Sequence, residues 1–419
     1  MPEYDVIVVG GGTAGTVAAI QSGRAGARTL LVEKNGMLGG TMTVAGVNNP
    51  ALFFAWGRQV IAGIGWELLS RTLEETGAEL PDMTDVEAEH WRHHIRIDAS
   101  IFAALADEAV LDAGVELLLH TMIAGAERDG DLWRVILCTK TGLRSVTCAV
   151  LIDCTGDANA VSLAGFEVYE PEECQPGTLM LRVGGYDPDK LDLDAISEAF
   201  RQAVHDGAMR ESDVTYGIDT APGFLMARGR NRNHVVGIHA STSEDRTAAE
   251  LEARRVWLRV FRFFRSQPGL EGLRVEEFMP EVGIREGGII RGKATITLDD
   301  YWGGRVWDDA VCYSFYPIDL HLPVGVDNRR LPDGVVPTIP RGAMLPEGSR
   351  NLLVAGRCVS GDRLAHSAYR VEATCMATGQ AAGAMGVLAA DSGTDVEELP
   401  MRDIRRLLKE HGAIVPELP

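Results

Sequence analysis

Hydrophobic and polar positions alternate between short apolar runs and glycine-rich turns. Tyr4-Asp5-Val6-Ile7-Val8-Val9 is short, apolar and β-branched, the pattern of a buried strand. A turn, Gly10-Gly11-Gly12-Thr13-Ala14-Gly15, leads into a small-residue helix that runs through Gly23 and is broken at Gly26. Arg28-Thr29-Leu30-Leu31-Val32-Glu33 is a second strand ending on a carboxylate, which makes a βαβ unit of about 30 residues. Glycine then dominates from Gly36 to Gly65, and a polar stretch from Glu74 to His94 is helical in part. A helix is predicted from Asp98 or Ser100 to Leu111, and a strand at Val115–Leu119. Residues 120–150 read as a β meander with turns at Asp129-Gly130 and Thr141-Gly142. Val150–Cys154 and Asn351–Gly356 are further buried strands. Helices are expected near 192–206 and 245–266, over Val371–Ala390, and in the tail after Asp391.

The pieces of one α/β domain therefore recur at both ends and in the middle. The predicted fold is α/β, a discontinuous Rossmann-like domain (1–45, 96–170, 346–390) with an inserted α+β substrate domain (46–95, 171–345) and a helical tail (391–419). A chain of 419 residues has room for two or three domains. No apolar run reaches the roughly 20 residues needed to span a bilayer, and the N-terminus lacks a basic segment, so a cytoplasmic protein without signal peptide or membrane partner is expected. The net charge of −20 repels phosphate backbones and argues against a nucleic-acid partner. Seven scattered cysteines form no C-x-x-C pair, so no metal site and no dithiol motif are expected.

Gly10-x-Gly12-x-x-Gly15 follows a strand, opens a helix and has Glu33 about 20 residues downstream. Gly10 allows the tight turn, Gly12 lets backbone approach a pyrophosphate at the helix N-terminus, and Gly15 allows close helix–strand packing. Glu33 would accept hydrogen bonds from a ribose. After Glu33 the chain continues Lys34-Asn35-Gly36-Met37-Leu38-Gly39-Gly40-Thr41. At this second glycine pair the sequence resembles the FAD-dependent oxidoreductases of the glutathione-reductase-like superfamily, distant cousins of fumarate reductase flavoproteins. Leu151–Asp157, Asn351–Cys358 and Arg370–Gly383 resemble that family's "ATGD" strand, final strand and last FAD helix.

The resemblance implies non-covalent FAD held by Gly10, Gly12, Thr13, Ala14, Gly15, Glu33 and Lys34. It further implies Gly39, Gly40 and Thr41 along the phosphates and flavin edge, backbone of Met122 or Ile123 at the adenine, and contacts from Gly156, Asp157 and Arg357. The helix carrying Gly379 and Ala382 would aim its start at the flavin pyrimidine edge. No second G-x-G-x-x-G occurs, so electrons are expected to pass directly between the flavin and a small-molecule substrate. Tyr316–His321 resembles the family's "YPxDxH" segment, and Glu281–Gly292 its Arg/Gly-rich stretch. In a strand Asp319 and His321 share a face, which suits either proton transfer or a structural clamp. Arg370 suits a carboxylate, the flavin, or a salt bridge to Glu372. The expected function is hydride transfer between a small organic substrate and flavin N5. A flavin enzyme acting on tRNA and a non-catalytic FAD-binding protein are the alternatives, and a homo-oligomer is compatible with either. His90, His93 and His94 are expected on the polar surface of a helix.

Overall fold

A computed structural model of the chain describes residues 1–86, 88–214 and 220–417. Five parallel strands form the centre, in the order Glu116–Leu118, Thr29–Val32, Tyr4–Val9, Gly142–Asp153, Leu352–Val354. All of Val6–Val9 and Thr29–Val32 are buried, as expected for strands covered on both faces. The long strand Gly142–Asp153 joins the parallel and antiparallel halves of one seven-stranded sheet. Its first half pairs antiparallel with Leu132–Thr139, which pairs with Met122–Asp129, while its second half lies beside Tyr4–Val9. The Rossmann-like α/β class and the meander expected from sequence are both present.

The helix Thr13–Arg24 packs along Glu372–Ser392, the last long helix. Glycine permits the approach. A Cβ on Gly379 would lie 2.1 Å from the Ala14 carbonyl oxygen, and one on Gly383 2.3 Å from that of Ala18. Gly379→Ala should therefore push the helices apart and cost about 1–3 kcal/mol, read from denaturant melts of the apoprotein. A melt indistinguishable from wild type would show that this contact is slack.

The apolar cores divide the chain differently from the expected domain boundaries. The larger core takes in Ala51–Ile95 and Ile290–Leu345, both assigned above to the substrate domain, and reaches the tail through Ile404, Leu408 and Val415. The reason is packing: the helix Ile64–Thr76 buries its apolar face against Ala99–Asp112, Thr13–Arg24 and the last long helix, all elements of the α/β domain. The second core runs only from Leu179 to Ile284. There Phe224 stacks on Phe264 at 5.2 Å, beneath the helix Ser243–Arg265 and a three-stranded antiparallel sheet. Tail residues 418–419 lie outside the described residues. Among the described residues no helix is long and apolar enough to cross a membrane.

Candidate functional site

An opening of about 770 Å³ lies at the carboxyl ends of the parallel strands, where ligands bind in open α/β sheets. The local backbone explains its shape. Gly10 adopts φ +98°, and a Cβ there would sit 2.4 Å from the Cys154 carbonyl oxygen. A Cβ on Gly15 would lie 1.7 Å from the Gly10 oxygen, so the helix can start this close to the strand only with glycine. Gly12 is different. Its φ of −66° suits any residue, and a Cβ would have nothing nearer than Gly40 Cα at 4.0 Å. The space beside Gly12 is thus a cradle open to the cavity, directly before a 12-residue helix whose first N–H groups are positive.

Across it, Gly39 N–H donates to the Gly11 carbonyl (2.8 Å), fixing the loop that carries Gly40 and Thr41. Glu33 lines the far end. Gly11 N–H donates to Glu33 Oε2 (2.6 Å) and Asn35 N–H to Oε1 (2.8 Å), which clamps the carboxylate at the site of the expected ribose. Arg357 reaches in from the turn after the last strand. Its Nη1 donates to Thr41 Oγ1 (3.0 Å) and Nη2 lies 3.8 Å from Asp157 Oδ1. Arg357 Nε and Asp157 Oδ1 are buried without hydrogen-bond partners, and burial raises the Asp157 carboxyl above its ordinary pKa. Arg357, Lys34 and Arg246 bring three cations to the lining. This donor set, with the cradle at Gly12, fits a dinucleotide pyrophosphate.

Of the residues implied by the resemblance, Gly10, Gly12, Thr13, Ala14, Glu33, Lys34, Gly40, Thr41, Gly156, Asp157 and Arg357 line the opening. Lys34 does so while paired with Glu281 at 3.0 Å. Gly15 and Gly39 shape the backbone behind it. Gly379 and Ala382 do not line it: they lie two turns into the last helix, packed in the core. Met122 and Ile123 do not line it either. They begin the antiparallel ribbon, held near Glu33 because Thr121 N–H donates to the Glu33 carbonyl (3.0 Å), and Met122 is exposed. Sequence reasoning missed Arg246 and the run Glu281–Ile284 as lining residues, since both come from the inserted domain.

A second constellation lies beyond the start of the last helix. Asp319 and His321 do share a strand face, in Ile318–His321, with His321 Nε2 3.2 Å from Asp319 Oδ2. Burial and nearby Arg285 hold the His321 pKa down at about 4, while the His321 hydrogen bond and the Arg370 charge keep Asp319 ionised. The Nε2 contact to a carboxylate requires the proton on Nε2. Nδ1 is then a bare lone pair, and it is buried without a partner. Arg370 turns to Asp319 (3.6 Å to Oδ2, 3.3 Å to the carbonyl) and to Gln175 (3.4 Å), with Nε buried and unpartnered. No ion pair joins it to Glu372 among the described residues. Gln175 Oε1 also accepts the His321 N–H (2.9 Å), and Glu286 fixes Gln175 from behind.

His234 packs on His321 at 5.2 Å, and Arg285 Nη2 lies 3.3 Å from His234. The histidines at 90–94 differ from expectation. They form a 3₁₀ turn, and His94 Nε2 meets the Tyr316 hydroxyl at 3.2 Å, with burial lowering the His94 pKa to about 4. Their partner lies 222 residues away, which no local periodicity reveals. Glu372, the first residue of the last helix, has its carboxyl pushed up to about 7 by burial, against the opposing charges of Arg370 and Arg357.

A carboxylate clamped at a strand end, an open glycine cradle at a helix N-terminus and lining residues from the inserted domain fit a dinucleotide-dependent protein. The chain matches the model of the FAD dependent oxidoreductase family over residues 5–408 and belongs to that family; its cofactor is FAD. It is 29% identical over 143 residues to a digeranylgeranylglycerophospholipid reductase of Methanocaldococcus jannaschii, covering 32% of this chain and 33% of that one. Over 53 residues it is 51% identical to a dihydrolipoyl dehydrogenase of Trypanosoma brucei brucei, covering 12% and 11% respectively. The chain thus spans a third or less of the length of these curated relatives. A geranylgeranyl bacteriochlorophyll reductase-like structure from Thermoplasma acidophilum aligns with 97% of this chain and 83% of its own, at 15% identity and TM-score 0.42.

Proposed function

We propose that this protein is a cytoplasmic enzyme that oxidises or reduces a small, carboxylate-bearing organic substrate against non-covalently bound FAD. The observation that carries the reading is the buried Arg370–Asp319–His321 group, with one bare imidazole nitrogen and one unpartnered guanidinium N–H. When bound, FAD supplies the two-electron centre that exchanges hydride with a substrate carbon. Gly12, Thr13 and Ala14 hold its pyrophosphate through backbone N–H groups, and Glu33 holds the ribose. Arg357 neutralises phosphate charge. Arg370 anchors the substrate carboxylate through its free Nε–H. His321 accepts the substrate proton at Nδ1 while Asp319 fixes the tautomer and steadies the imidazolium that forms. Kinship with the glutathione-reductase-like flavoproteins is part of this proposal and rests on the fingerprint and the second glycine pair, Gly39-Gly40.

The test is anaerobic mixing of the yellow protein with a panel of small hydroxy and amino acids and their uncharged esters. Bleaching of the flavin by an acid but not by its ester supports the reading; equal bleaching by both removes the Arg370 anchor. The pH dependence has a definite sign. A histidine with its pKa lowered to about 4 stays a competent base well below 6.5. The rate of flavin reduction should therefore hold level from neutral pH to about 5 and fall tenfold per unit only below about 4. A rate that halves near 6.5 would assign the proton to some other, solvated group.

A further inference from the structure

Glu170, Cys174 and His239 converge although 65 residues separate the cysteine from the histidine. One ligand atom of each lies within 4.8 Å of the others. Cys174 Sγ is 3.7 Å from His239 Nδ1, and the same Nδ1 is 3.3 Å from Glu170 Oε2. A relay triad would use both ring nitrogens, one toward the thiol and one toward the acid. Here a single nitrogen faces both partners, which is the arrangement of groups pointing at a common centre.

The spacings are those of a coordination polyhedron. With zinc–sulfur, zinc–nitrogen and zinc–oxygen lengths of about 2.3, 2.05 and 2.0 Å, the edges of a tetrahedron are about 3.6 Å for S···N and about 3.3 Å for N···O. The observed 3.7 and 3.3 Å match both. The ligands are also supported from behind: Ala240 N–H donates to Glu170 Oε1 (3.0 Å), and the Ser241 hydroxyl donates to Oε2. The thiol and the carboxylate supply the soft and hard donors that zinc accepts together.

We propose that Glu170, Cys174 and His239 form a binding site for a zinc-class divalent cation, with the fourth position left to water or ligand. None of the three ligands is a residue assigned to the flavin reaction. The metal would join two segments of the inserted domain's border. Glu170 follows the strand Val168–Tyr169 that pairs with Ile289–Ile290, and His239 follows His234–Val235. Cys174 is the chain neighbour of Gln175, which holds the His321 backbone. A cation here would therefore brace the substrate constellation. Burial and the charges of Glu170 and Glu286 push the Cys174 thiol up to about 12, so binding must displace its proton: the S–H bond breaks, a metal–sulfur bond forms, and one proton enters solvent.

Chelator-stripped, FAD-loaded full-length protein would be titrated with Zn²⁺ by calorimetry in two buffers of different ionisation enthalpy, and with Co²⁺ by absorption. The expected result is one site, about one proton released per Zn²⁺ at neutral pH, and a tetrahedral Co²⁺ band to the red of the flavin. Cys174→Ser and His239→Ala should each weaken binding on the order of 100-fold or more, whereas Cys138→Ser, at the exposed cysteine, should leave it intact. No saturable binding to the wild-type protein would overturn the site, with no variant needed. So would binding that survives both ligand substitutions, or that is lost in Cys138→Ser.

Discussion

Gly12→Val should give a folded, colourless protein. Two features of Gly12 set it apart from its neighbours. Its backbone sits at φ −66°, which valine tolerates, and the nearest atom to its Cβ position is 4.0 Å away. The side chain would therefore add no strain to the apoprotein. It would instead fill the cradle that the pyrophosphate needs, beside the first N–H groups of the helix. The loss of affinity is expected to exceed about a thousandfold, since a clash of this kind also displaces the phosphates from the helix N-terminus and from Arg357. Gly15→Val is the contrasting case. A Cβ there lies 1.7 Å from the Gly10 oxygen, so the strand and helix must separate and the fold should fail with the site. Flavin absorbance after gel filtration and the apoprotein melt, measured together, check both. A Gly12→Val protein that keeps its flavin would remove the cradle from the account of binding.

His321→Ala should keep FAD and lose on the order of 10²–10⁴-fold in the rate at which substrate reduces the flavin. The argument rests on protonation state. Nε2 is committed to Asp319 at 3.2 Å, and Nδ1 is buried and bare. His321→Gln preserves size and polarity but supplies no titrating nitrogen, so it should be as slow as alanine. Asp319→Asn should also be slow, because the amide no longer favours a positive imidazole beside it. If the pair is a clamp instead, the same variants would lose melting temperature and keep their rate. Stopped-flow reduction and thermal melts on one set of samples separate the outcomes, and a near-normal rate in His321→Gln would end the assignment.

Much of the cofactor region was legible along the chain because it is local. Strand, glycine turn, helix and acidic strand end lie within residues 4–33, and Gly10 and Gly15 answer to contacts made inside that unit or with the adjacent strand. The Asp319–His321 couple was legible for the same reason, since two residues on one strand face depend on nothing but strand geometry. Gly379, expected at the cofactor, is required where two helices cross, and a glycine needed against a ligand looks the same in sequence as one needed against another helix. Only the fold put Ala14 opposite it.

By itself, then, the sequence determined the class of the fold, the dinucleotide fingerprint and the face shared by Asp319 and His321. Tertiary structure alone decided everything made by residues far apart. It placed Tyr316 against His94, Gln175 and Arg370 around Asp319 and His321, and apolar residues between 51 and 95 in the main core rather than the inserted domain. It also brought Glu170, Cys174 and His239 together, where the lack of any C-x-x-C spacing had suggested no metal. Local spacing reports only what the backbone carries a few residues at a time. Burial of apolar faces chooses which distant segments meet, and with them which polar groups share a site.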